Sequence, residues 1–247
     1  VLLGVPCARV ELATCDGHPG SISRGFVEAG RGPLVHGNEL LQEVDESYPI
    51  VQLRGVSKHT VDAVLGRLED ALPPGGDEPV LTCAADWFVG YLLLDAVIVN
   101  SDRHHENWGV LQISSGARRL APSYDHASSL GRELKDDERL RRLTTRDPAF
   151  TVAGYVERAR SGLYAEAAAA KPLHPADAYR LAGARRPEAM AVWHARLGRT
   201  SDAAFEQIVK RVPDAAISAH ARPFALAVLR LARQHLLGPP QDPSVCP

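Results

Sequence analysis

The sequence predicts an α+β fold in which helix dominates, and three observations carry that reading. Near the start, two alternating segments flank a turn-rich stretch, as a β-hairpin requires. In the middle, Trp87 to Val99 is almost continuously apolar. From Ala149 onward the pattern is helical and alanine-rich, interrupted at Pro172, Pro175, Pro187 and Pro213.

Taken in order, Ala8 to Thr14 and Ser21 to Val27 are the strands of the hairpin, with Asp16-Gly17-His18-Pro19-Gly20 as its turn. Glu28 to Pro33, rich in glycine and arginine, is the natural hinge. Asn38 is placed to cap a short helix reaching about Ser47. Ser57 caps a second, whose Val61, Val64, Leu65 and Leu68 form one apolar stripe, and Pro73-Pro74-Gly75-Gly76 ends it. Trp87 to Val99 is too short to cross a hydrocarbon core of about 30 Å and contains Asp95, so it reads as a helix buried on all sides. A carboxylate there needs a partner, which nearby backbone or an arginine can supply. Trp108 to Ile113 suits a strand, Ser114 to Ala117 a turn, and Arg118 to Ala121 a returning strand. Ala165 to Ala170 favours helix, and the last helix runs from about Asp214 to Leu237. The tail from Gly238 to Pro247 is expected to be disordered.

Composition narrows the class. The 247 residues suit one large domain or two lobes, able to bury roughly 70 to 75 % of the unfolded surface. A net charge of −2 and an isoelectric point near 6.6 leave no basic excess for coating nucleic acid. Cys7, Cys15, Cys83 and Cys246 have neither metal-site spacing nor a compact disulfide framework, so a reduced, cytoplasmic setting is expected.

The chemistry concentrates in Asn100-Ser101-Asp102-Arg103-His104-His105-Glu106-Asn107 and in Tyr124-Asp125. A hairpin sets its two outer ends side by side. Asn107, just before the first strand, and Asp125, just after the second, would therefore converge their oxygens, as magnesium prefers. Asp102, on the loop before the ribbon, would reach the same point and could orient or deprotonate a hydroxyl. Adjacent histidines such as His104 and His105 cannot easily face one ion, so zinc is not expected. Arg103 has two readings, a partner for a carboxylate such as Asp95 or a phosphate ligand. Tyr124 reads as a packing or hydrogen-bonding residue and His126 as a surface residue. Ser128-Ser129-Leu130-Gly131 would fix the loop beyond Asp125.

This stretch resembles the catalytic loop of the HipA-like kinases, prokaryotic relatives of the protein-kinase and phosphatidylinositol-kinase fold. Asn100 to Asn107 is similar to their Asn-x-Asp-x-His-x-x-Asn loop, with a lipid-kinase flavour in Asp102-Arg103-His104, and Leu120 to Gly131 is similar to the segment replacing Asp-Phe-Gly. Ile22 to Phe26 followed by Leu34 to Glu39 looks like the passage from small to large lobe. The resemblance implies Asp102 as catalytic base, His104 as the loop histidine, Asn107 and Asp125 as metal ligands, and Ser23, Arg24 and Phe26 on the nucleotide side. It implies ATP and Mg²⁺ as cofactors, serine or threonine of a protein as acceptor, and a toxin paired with a DNA-binding antitoxin. It divides the chain into a small-lobe remnant (1–28), a helical large lobe (29–237) and the tail (238–247). Kinases of this kind also use a glycine-rich loop and a lysine before the hinge. Lys58, Lys135, Lys171 and Lys210 all follow it, so the ATP-gripping elements are expected upstream of Val1 or lost. The alternatives are a catalytically degraded binding module and a lipid kinase.

Overall fold

The structure, a computed structural model, describes residues 2–27, 32–75, 78–113 and 116–238. Strands β1 (Val10–Cys15) and β2 (His18–Ser23) form an antiparallel hairpin with Cys15 opposite His18. Its turn is two residues, Asp16 and Gly17, both at positive φ (51° and 79°), rather than the five-residue stretch expected. An Asp-Gly pair in that conformation matches the strand twist, so Pro19 and Gly20 continue as strand. Proline is tolerated because, among the described residues, no third strand needs its missing N–H. Nearly every residue of the hairpin is exposed.

The second sheet has three strands where a two-stranded ribbon was expected. β3 (Leu34–His36) pairs antiparallel with β4 (Gly109–Gln112), which pairs with β5 (Arg118–Leu120). Most of the expected hinge, residues 28–31, and the centre of the expected turn, 114–115, lie outside the described residues.

α1 (Gly37–Gln42) is capped by His36, not Asn38, which is buried in the first turn. It stops well short of Ser47 because Asp45 accepts from both the backbone and the hydroxyl of Ser47, a local turn that competes with helix. α2 (Val61–Leu68) keeps the expected stripe, all four residues buried, but Thr60 replaces Ser57 as its cap, accepting from the Ala63 amide at 3.1 Å. α3 (Ala84–Ile98) begins before Trp87 because Asp86 reaches back to the amides of Thr82 and Cys83. It is buried on every side except at Leu94 and Ile98.

The remaining helices are α4 (Asp136–Thr144), α5 (Val152–Glu157), α6 (Pro175–Arg185), α7 (Pro187–Arg199), α8 (Asp202–Lys210) and α9 (Ala221–Leu237). α4 was not expected, although its acidic first turn and basic last turn match the helix dipole. Pro175 and Pro187 open helices at the first position, where a missing N–H costs nothing. Ala165 to Ala170 is not helical. Propensity alone is a weak driver over so short a run, and no apolar stripe in these residues adds packing to it. The last helix begins at Ala221, whose amide meets Ser218 Oγ, while Asp214–Ala216 makes only a 3₁₀ turn.

Helices α2, α6, α7 and α9 surround α3 and share its core. One tight approach is at Gly90, where any Cβ would run into the Trp193 indole. Residues 2–8 lie against the same core, with Leu3 and Val5 buried and Cys7 bridged to Ser123. Among the described residues no helix is long and apolar enough to cross a membrane. Residues 239–247, nearly all of the expected disordered tail, lie outside the described set.

Candidate active site

The site begins where α3 ends. Val99, a β-branched residue, adopts left-handed backbone (φ 54°), as do Asp125 (φ 53°) and Leu130 (φ 57°) on the segment opposite. Such conformations cost roughly 1 to 3 kcal/mol each and persist only where surrounding contacts enforce them. Here the enforcing contacts are visible. Asp95, inside α3, takes Arg103 in a two-pronged pair, Nε at 2.7 Å from Oδ2 and Nη2 at 2.8 Å from Oδ1, and also accepts from Asn100 Nδ2 at 2.8 Å. Arg103 then donates from Nη1 to the Asn107 carbonyl at 2.5 Å and to the Tyr124 carbonyl at 3.4 Å, and from Nη2 to Ser123 Oγ at 3.1 Å. One guanidinium thus ties the α3 interior to both segments that carry candidate ligands. Burial works against its charge, but Asp95 outweighs that and holds its pKa above the ordinary value. Of the two readings of Arg103 this arrangement selects the carboxylate partner, and Asp95 has its anchor.

Above this floor, Asp102 is partly exposed. Ser128 Oγ donates to its Oδ2 at 3.3 Å, and Arg54 Nη2 stands 3.9 Å from its Oδ1. Its carbonyl accepts from Asn107 Nδ2 at 2.7 Å. That bond orients the Asn107 amide and leaves Oδ1 without a hydrogen-bond partner among the described residues. The Asp125 carboxylate is exposed and likewise unpaired among them. An amide oxygen and a carboxylate oxygen left free on segments joined by one arginine are donors of the hard type that magnesium takes, with water and phosphate completing its shell. Among the described residues no three His, Cys, Asp or Glu side chains form a metal-holding group. Two protein oxygens are the number that suits an ion whose remaining positions are filled by water and a ligand.

His104 faces its own loop, its Nδ1 accepting from the Glu106 amide at 3.2 Å. Tyr124 donates to the Glu106 carbonyl at 2.8 Å, and His36 Nδ1 lies within reach of both, at 2.8 and 3.1 Å. Phe26 stacks on Tyr124 with ring centroids 5.6 Å apart, which brings it to the edge of this group. Ser23 and Arg24 stay on the exposed hairpin, with no side-chain bond to the Asp102 group among the described residues. His126 is half-buried against Ser123 Oγ at 2.7 Å rather than on the surface, and burial pushes its pKa down to about 4.

Behind the loop lies a row of neutral groups. Trp108 Nε1 donates to His59 Nε2 at 3.0 Å, so His59 Nδ1 carries the proton it gives to the Gly162 carbonyl at 2.8 Å. Burial lowers the His59 pKa to about 3. Tyr48 bonds His105 Nδ1 at 2.8 Å. Gly162 has no room for a Cβ, because the Arg103 carbonyl lies against it. The residues that sequence reasoning missed are Ser128 as a partner of Asp102 and His36, Tyr48 and His59 as supports. Each lies more than twenty positions from the loop residue it touches, so no local pattern marks it.

No protein-family model matches the chain, and no curated protein matches it by sequence. Solved structures do. The kinase CtkA of Helicobacter pylori, described as proinflammatory, superposes with a TM-score of 0.72 at 18 % identity, covering 96 % of this chain and 76 % of that one. A chain from the HipA–HipB toxin–antitoxin complex with operator DNA of Shewanella oneidensis MR-1 superposes with a TM-score of 0.54 at 12 % identity, over 96 % of this chain and 53 % of that one. This chain therefore spans about half of the latter's length. At these identities the likeness establishes the fold, an α+β HipA-like kinase fold.

Proposed function

We propose that this chain carries the catalytic lobe of a Mg-ATP-dependent kinase that phosphorylates serine or threonine hydroxyls of a protein. The observation that carries the reading is the trio Asp102, Asn107 and Asp125, held on one support by the Asp95–Arg103 pair, with Asn107 Oδ1 and the Asp125 carboxylate unpaired. The kinase fold of CtkA and of the HipA complex supports it. Asn107 and Asp125 would hold the metal. Bound Mg-ATP would supply the phosphoryl group and neutralise the charge developing on it.

The protein's own contribution is positioning and one proton. Asp102 Oδ2 already takes a hydroxyl hydrogen bond from Ser128, which is the geometry an acceptor hydroxyl needs to be oriented and to lose its proton. Asn107 Nδ2 donates to the Asp102 carbonyl, which ties the proposed metal ligand to the backbone of the base. His104 shapes the loop by receiving the Glu106 amide. Phe26, with Ser23 and Arg24 on the hairpin beyond it, forms the nucleotide side. A DNA-binding antitoxin-like partner belongs to the same reading, by likeness to the HipA–HipB complex.

The test is phosphate transfer from labelled ATP by the protein carrying Asp102→Ala. Transfer should fall by about 10² to 10⁴-fold, the usual contribution of a positioned base. Stability should move by less than about 1 kcal/mol, because the side chain is partly exposed and loses one weak hydrogen bond. Undiminished transfer in that variant overturns the role given to Asp102.

A further inference from the structure

A cavity of about 550 Å³ opens beside Asp102, a size that suits a bound ligand or several side chains of a peptide. Ser101, Asp102, His104 and Ser128 line it, whereas Asn107 and Asp125 do not. On the kinase reading, the candidate base thus stands between the metal side and a second space that can admit the acceptor.

The charge lining that space is uneven. Arg54, Arg142, Arg158 and Arg160 contribute four cations against the carboxylates of Asp102 and Glu133. Arg142 is matched by Glu138 at 2.6 Å, outside the cavity. The other three are less firmly paired among the described residues. Arg158 donates to the carbonyls of Gly154 and Ala149, and Arg160 to those of Glu157 and Ala159. Neither has a carboxylate partner among the described residues, and Arg54, 87 % exposed, only approaches Asp102 at 3.9 Å. Guanidinium groups held by neutral carbonyls keep their full charge available to an incoming carboxylate.

We propose, resting on the kinase reading, that this cavity is the acceptor site and that it takes a polypeptide serine or threonine flanked by acidic side chains. Glu133 within the cavity disfavours a densely charged ligand such as a phosphorylated headgroup, but tolerates single carboxylates spaced along an extended chain. The exposed Leu53 and the Leu134 and Pro172 surfaces of the wall give the intervening side chains apolar contact.

The experiment is fluorescence anisotropy with dye-labelled serine peptides bearing acidic, neutral or basic flanks, measured without ATP. The protein is compared with the double variant Arg54→Gln, Arg160→Gln, both of whose side chains lie at exposed positions, with a thermal melt as the control for folding. Acidic flanks should bind about tenfold tighter than neutral ones at low salt, and the advantage should shrink as salt rises or in the double variant. Equal binding of all three peptides, or an acidic preference undiminished in the double variant, overturns the proposal. Binding of inositol phosphates with none of the acidic peptide overturns it too. Transfer assayed separately with Mg-ATP distinguishes the two levels. Acidic preference in binding with no transfer to any peptide removes the kinase reading and the acceptor role, while equal transfer to all flanks keeps the kinase and removes the acidic specificity.

Discussion

The β1–β2 hairpin and the loop that follows α3 are both short segments with a non-glycine residue at positive φ, Asp16 in one and Val99 in the other, and they relate to the core in opposite ways. In the hairpin, Asp16 turns the chain in solvent, and Leu12 and Ile22 are 59 % and 58 % exposed. In the loop, Asn100, Arg103, His105 and Asn107 are buried and bonded to residues as distant in sequence as Tyr48 and Asn38. The difference teaches where the site's rigidity comes from. Asp102 is held from beneath, through Asn100 and the α3 interior, while Phe26, just past the hairpin, stacks on Tyr124.

The sharpest way to break that comparison is to remove the floor. Arg103→Met leaves Asp95 charged, buried and without its main partner, and should cost about 3 to 5 kcal/mol in urea denaturation. Adding Asp95→Asn should recover part of that loss, since no bare charge then remains. A fully stable Arg103→Met protein would show that the loop does not depend on this pair.

Acid probes the same floor more gently. His59 and His126 have folded pKa values of about 3 and about 4 against an ordinary 6.5. Below 6.5 the unfolded chain binds protons that the folded chain refuses, so stability rises with pH across this window and is lost on acidification. The slope should reach about 1.4 kcal/mol per pH unit for each histidine. Urea midpoints taken between these limits check it, and a flat profile would mean that both rings accept protons in place.

The smallest effect belongs to the hairpin. Leu12→Ser and Ile22→Ser should each shift stability by no more than about 0.5 kcal/mol, because little apolar surface is lost from the core. A larger loss on thermal melting would mean that the hairpin face is covered in the intact protein.

The candidate loop motif was legible because its residues are close in sequence. Asp102 and Asn107 share one loop and Asp125 follows the two strands beyond it, so spacing alone singles them out as a candidate group. The burial of α3 was legible for a similar reason, since a helix apolar all round has nowhere else to go. Asn38 misled because its local role as a cap lost to longer-range bonds with Ile50 and Glu106. Ala165 to Ala170 misled because propensity summed over so short a run is weaker than the backbone bonds that Tyr164 makes with His59 and Val61.

The sequence by itself determined the helix-dominated class, the buried central helix and the run of candidate catalytic residues, since each is written in local periodicity or spacing. Only the tertiary structure decided that Arg103 serves Asp95, that β3 joins the ribbon, that Ser128 meets Asp102, and that Arg54, Arg158 and Arg160, at most loosely paired among the described residues, line the cavity beside it. Those outcomes depend on which groups are brought together from distant positions, where a charge finds its partner through burial and geometry rather than through neighbourhood along the chain.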